Sequence, residues 1–132
     1  MKRKAIIIKS SSDGKRLIAV DKVHADEILK FLQDKNLYKK FELICKTILS
    51  GMRNSELYDK EDINHRCRHV TAMKFKGKCN ARIYCQEIRE KDKTFIVVAA
   101  ELLPGKKNQK NSSKEISLIE KVAIYEYYIY VR

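Results

Sequence analysis

The sequence predicts an α+β fold, and three observations carry that expectation. A run of β-branched residues opens the chain, two segments at helical spacing follow it, and the second half alternates as strands before a last helical segment. The predicted order is β-(β)-α-α-β-β-β-α, with the later strands in an antiparallel meander. At 132 residues the chain is expected to form a single domain over positions 1–132.

Residues Lys4–Lys9 contain Ile6, Ile7 and Ile8, side chains that favour a pleated strand. Ser10 to Gly14 supplies turn residues, and Leu17–Val20 is short enough to close a hairpin on the first strand. Asp21 is a candidate helix N-cap, with Asp26 and Glu27 suited to a first turn. Ala25, Ile28, Leu29 and Leu32 then fall at helical spacing. Past Asp34-Lys35-Asn36, Leu37, Phe41, Ile44 and Ile48 form one apolar stripe, widened by Cys45 and Leu49, and Gly51 is a natural stop. These segments read either as a helical hairpin or as one long helix broken near Asn36. Residues 53–66 are polar, lack a period, and read as a loop.

Val70–Lys76 and Asn80–Ile88 read as strands. On the second, Ile83 and Cys85 share one face, and Arg82, Tyr84 and Gln86 the other. Arg89 to Lys93 is a charged turn, and Thr94–Leu103 is apolar enough for a central strand, ended by Pro104-Gly105. A basic loop, Lys106–Ser113, leads to a helix that Ser113 caps and whose inward stripe is Ile116, Ile119 and Ala123. The tail, Tyr125–Arg132, fits either a continued helix or a strand.

Charge is the first functional clue. Lys and Arg number 29 against 17 Asp and Glu, a net charge of +12. Residues 66–93 hold nine basic side chains against three acidic, and residues 1–16 hold six against one. Such a surface calls for an acidic partner: a nucleic acid, an anionic membrane or an acidic protein. No apolar run approaches the roughly 20 residues of a membrane span, and the run behind the basic start is shorter than the roughly 7–15 of an export signal. A cytoplasmic protein with no membrane partner is expected.

Cys45, Cys67, Cys79 and Cys85 form no CxxC pair and are expected to be free, mostly buried thiols. The segment His65-Arg66-Cys67-Arg68-His69 carries ligand types, but its spacing is not that of common zinc sites and its arginines repel a cation. No metal site is expected.

Lys74, Lys76 and Lys78 alternate on one strand, Arg82 sits on the next, and Lys106, Lys107 and Lys110 follow the third. Three neighbouring strands would gather them into a phosphate-binding surface. Tyr84 shares the face of Arg82, placed to stack a base or move a proton. The tail tyrosines Tyr125, Tyr127, Tyr128 and Tyr130 read either as packing and interface residues or as a platform for bases.

Asn80-Ala81-Arg82-Ile83-Tyr84, then Phe95-Ile96-Val97-Val98, then the run Gly105-Lys106-Lys107-Asn108-Gln109-Lys110-Asn111-Ser112-Ser113-Lys114-Glu115-Ile116 resemble the RelE/HigB superfamily of toxins. The resemblance is best over residues 70–120. It implies a RelE-like fold and the toxin half of a type II toxin–antitoxin pair: a ribosome-dependent endonuclease that cuts messenger RNA through the RNA's own 2′-hydroxyl, with no metal or other cofactor. By the same resemblance Arg82 stabilises the phosphate, and Lys106, Lys107 and Lys110 match the basic loop. Lys74, Lys76 and Lys78 would add RNA-binding charge. Tyr84 enters on geometry.

One departure stands out. The stretch before the basic loop is Glu101-Leu102-Leu103-Pro104, where many relatives carry a histidine or aromatic residues. Glu101 is then the available general base, or else a surface carboxylate, and His24, His65 and His69 lie elsewhere in the sequence. The implied partners are messenger RNA on the ribosome and a cognate antitoxin covering the basic face. DNA would be met only through the antitoxin complex. A non-catalytic nucleic-acid-binding module of the same fold explains the charge equally well.

Overall fold

The computed structural model describes residues 2–77, 79–105 and 112–131. Among these, seven strands form one mixed sheet and three α-helices pack against it: β1 (Arg3–Ser10), β2 (Arg16–Asp21), α1 (Ala25–Phe31), α2 (Lys35–Leu49), β3 (Tyr58–Lys60), β4 (Val70–Phe75), β5 (Ala81–Arg89), β6 (Phe95–Leu103), α3 (Ser113–Ile124) and β7 (Tyr127–Val131). The strand order is β3-β4-β5-β6-β2-β1-β7. No described helix is long and apolar enough to cross a membrane.

The α+β class holds, and the meander from β3 to β6 is antiparallel. The sheet as a whole is not. β2 runs parallel to β6, and β7 runs parallel to β1. The first of these follows from chain reversal: the α1–α2 hairpin carries the chain from β2 across to the far edge, and the meander returns beside β2 from the other side.

The helical hairpin packs on one face. Ile28 of α1 and Phe41, Ile44, Cys45 and Ile48 of α2 are buried against Ile18, Met73, Ile83 and Val97 of the sheet. The break near Asn36 is a true end, because the Asp34 carboxylate caps α2 by accepting from the backbone N–H groups of Asn36 and Leu37. At the other end Gly51, at φ 74°, and Met52 donate back to the carbonyls of Ile48 and Thr47, a glycine-terminated helix stop.

The opposite face carries α3, which buries Ile119 and Val122 against Val70, Ala72, Tyr84 and Ala100. A β-bulge between Tyr84 and Cys85 places Ala100 as the extra residue on β6. Beyond α3 the same face continues as an apolar patch of Ala5, Ala19, Ile96 and Val98.

Several local expectations are corrected. Residues 53–66 are not all loop, since Tyr58–Lys60 adds a short edge strand and His65–Cys67 a 3-10 turn. Asp21 does not cap α1; it ends β2, fully buried, and accepts from Arg3. Leu29 faces solvent. The cap of α3 is Ser112 rather than Ser113, and its inward residues are Glu115, Ile119 and Val122. Ser112 Oγ accepts from the Glu115 N–H and donates to its carboxylate, which fixes the start of α3, and Ile116 lies outside the buried stripe. The tail is strand β7, not a continuation of α3.

Candidate functional site

The face under α3 holds four of the residues singled out from the sequence. Cross-strand pairing sets Lys74 opposite Arg82 and Leu103, and in the next row Ala72 opposite Tyr84 and Glu101. Directly paired residues project from the same face, so Lys74, Arg82, Tyr84 and Glu101 do share it. Along β5 from Arg82 to Gln86, α3 runs in the same direction. Glu115 lies beside Tyr84, while Val122 and Tyr125 present their carbonyls to the Gln86 amide.

At the N-terminal end of α3, Arg82 Nη1 donates to Glu61 Oε1 at 2.7 Å, with side chains only 17% and 8% exposed. Glu61 arrives from the segment after β3, held there by its backbone N–H bonded to the Val70 carbonyl. The Tyr84 ring is fully buried beneath α3, so it offers no face to a base. Among the described residues its hydroxyl has no hydrogen-bond partner. Burial first, then the charges of Glu61 and Glu115, push this phenol well above its ordinary range, and Arg82 opposes them. Tyr84 therefore stays a neutral donor inside a ring of charge. Gly105 and Ser112 bracket residues 106–111, so the lysine-rich segment leaves and rejoins the described chain at this end of α3.

Glu101 belongs to a different group. Its side chain turns toward the C-terminal end of α3, where the Tyr125 hydroxyl donates to Oε2. Burial and that carboxylate push the Tyr125 hydroxyl up to about 12. His24, at the start of α1, bonds the Ala100 carbonyl through Nδ1 at 2.7 Å and directs Nε2 at Glu101 Oε1, 3.7 Å away. A carbonyl only accepts, so Nδ1 carries a proton and Nε2 is the nitrogen facing the carboxylate. The two acid–base candidates thus sit at opposite ends of α3: Arg82 with Glu61 at one, Glu101 with His24 at the other.

The strand lysines are engaged rather than free. Lys74 Nζ donates to the Ser55 carbonyl at 2.9 Å, and Lys76 pairs with Glu56. Lys78, Lys106, Lys107 and Lys110 lie outside the described residues. Cys67 is buried, and Arg68 Nη1 lies 3.2 Å from His65 Nε2. Among the described residues no group of three or more His, Cys, Asp or Glu is placed to hold a metal ion. The four thiols are free; burial pushes Cys45 up to about 12 and Cys85 higher still.

Glu61, Glu115 and His24 were not among the sequence candidates. Glu115 was signalled by the S-x-x-E pattern from Ser112, but Glu61 and His24 reach their partners over 21 and 77 residues of chain and carry no local signal. No family model matches the chain, and neither does any curated protein or solved structure.

Proposed function

We propose that this chain is a RelE-like toxin acting in the cytoplasm: a metal-independent endonuclease that cuts messenger RNA on the ribosome and is silenced by an antitoxin. The observation that supports it is the part-buried Arg82–Glu61 pair beside Tyr84, at the end of α3 near Gly105 and Ser112, which bracket residues 106–111. The α1–α2 hairpin, the β4–β6 meander and α3 support this reading, while β3, β7 and the two parallel pairings are additional to the layout the resemblance implies.

In this reaction the 2′-hydroxyl attacks the adjacent phosphorus and gives its proton to a base, the bond to the 5′-oxygen breaks to leave a 2′,3′-cyclic phosphate, and the departing 5′-oxygen takes a proton from water. Glu61 is that base, oriented by Arg82. The guanidinium has five N–H donors and shares one with Glu61, and no other described side chain pairs with it. Its remaining donors stabilise the negative charge of the phosphorane. In this reading Lys106 and Lys107 supply further positive charge to the phosphate, Lys78 and Lys110 hold the RNA backbone, Lys74 and Lys76 join them on exchanging the Ser55 carbonyl and Glu56 for phosphate, and Tyr84, buried under α3, packs beneath the site without touching substrate. Glu101, turned toward His24, positions the β6 end rather than touching substrate.

Primer extension on a reporter messenger in a bacterial translation extract tests this. Cuts that need ribosomes, and that vanish in Arg82→Ala, Lys107→Ala and Glu61→Gln, are expected. An uncut messenger from folded wild-type protein that still holds RNA would overturn the endonuclease in favour of a binding module of the same fold.

A further inference from the structure

The tail tyrosines divide in two. Tyr125 and Tyr127 spend their hydroxyls inside the protein, on Glu101 and on Asp21. Tyr128 and Tyr130 project from the other face of β7 and are 51% and 45% exposed. Pairing of β7 with β1 sets Lys4 opposite Tyr128 and Ile6 opposite Tyr130. Lys2 Nζ lies 4.7 Å from the centre of the Tyr128 ring, and Lys4 Nζ lies 5.8 Å from that of Tyr130. The two rings are 6.5 Å apart and inclined at 60°.

Lys2 and Lys4 also line a cleft of about 750 Å³ at the start of β1, together with Arg3, Lys22, Val23, Ile124 and Tyr125, with no carboxylate in its wall. Arg3 is neutralised by Asp21, but among the described residues neither Lys2 nor Lys4 pairs with a carboxylate. This surface is four strand spacings from β5, about 19 Å, and on the opposite side of the sheet from Arg82.

From this arrangement we infer that the β1–β7 surface is a second binding site, for single-stranded RNA. Tyr128 and Tyr130 stack two bases, and Lys2, Lys4 and Lys22 take the phosphates between and beside them. Unpaired lysines make the surface selective for a polyanion. Aromatic faces two residues apart on a strand suit unpaired bases, which a duplex does not offer. An acidic strand that pairs with the free edge of β7 is the competing occupant; it would be held by backbone groups and would not need the tyrosine rings. The site acts by binding alone, so it stands or falls separately from cleavage at Arg82.

The test is fluorescence anisotropy of a labelled 12-nucleotide oligo(U) against the full chain, with an RNA duplex of equal length as comparison. Tyr128→Ala/Tyr130→Ala is expected to weaken oligo(U) binding by roughly 30-fold or more, since each stacked base contributes about 1–3 kcal/mol. Tyr128→Phe/Tyr130→Phe should retain it. Should the alanine variant fail to fold, Lys2→Gln/Lys4→Gln serves instead. Two lost phosphate contacts should flatten the slope of log K against log salt by about 1.4. Equal binding by wild type and the folded alanine variant would overturn the site, as would preference for the duplex or an unchanged salt slope. A change in self-association without a change in RNA affinity would overturn it in favour of a protein interface.

Discussion

Arg82→Ala removes a guanidinium and leaves Glu61 in a site where it is 8% exposed. Stranding one partner of a fully buried pair costs about 3–5 kcal/mol. Arg82 retains some contact with water at 17% exposure, which moves the expected loss to about 2–3 kcal/mol. For a chain of 132 residues this lowers the melting temperature by about 6–12 °C. Glu61→Gln keeps an acceptor for Arg82 and should lose only about 1 kcal/mol. In that background Arg82→Ala strands no charge and should add only about 1 kcal/mol more. The assay is a double-mutant cycle by urea unfolding at pH 7, followed by circular dichroism. Equal losses from Arg82→Ala in the two backgrounds, within about 0.5 kcal/mol, would show that the pair does not exist in solution. The cycle also protects the functional test, because a missing cleavage activity in Arg82→Ala counts only at temperatures where that variant is folded.

Tyr84→Phe should raise stability by about 1 kcal/mol, because it deletes a buried hydroxyl that has no partner, and a loss of similar size by thermal melting would show a hidden acceptor. Tyr127→Phe should cost about 1.5–3 kcal/mol at pH 7, since it removes a 2.7 Å bond to the Asp21 carboxylate. Burial alone would raise the Asp21 carboxyl, but Arg3 and then Tyr127 hold it below its ordinary 3.8. Stability from this group is therefore full above that value and lost as pH falls through the lowered one, so the penalty should shrink below about pH 4; a penalty independent of pH would refute this. Cys79, the one thiol not buried, should react first with a disulfide reagent at pH 8, and faster labelling of Cys45 or Cys85 would contradict their burial. Ser112→Ala should cost about 1 kcal/mol by unfolding, as the cap of α3, and no measurable loss would mean that the helix starts elsewhere.

The sequence made the elements legible wherever one face repeats. The stripe through Phe41, Ile44 and Ile48 and the alternation of β5 needed only local periodicity. What escaped depends on meetings across the chain. Glu61 sits in an aperiodic polar stretch and acquires meaning only when β3 pairs with β4 and brings it to Arg82. The Arg82 and Tyr84 side chains were correctly placed on one face, but the burial of Tyr84 follows from α3 lying over it, which no feature of β5 foretells. Glu101 and Arg82 were grouped by their closeness to the basic loop. Register puts them one row apart, and side-chain direction sends them to opposite ends of a 12-residue helix.

The pairing of β1 with β7 bears on how the protein is made. It joins residues 3–7 to residues 127–131, so this part of the sheet forms only once two segments more than a hundred residues apart have both been made. Contacts of such separation gather slowly, because the loop must close before they repay its entropy. Until then β1 offers an unpaired edge rich in isoleucine to whatever is nearby. The strand that completes this edge carries the two exposed tyrosines, so the β1–β7 RNA surface inferred above waits on that long-range pairing, whereas the Arg82–Glu61 pair closes over only 21 residues.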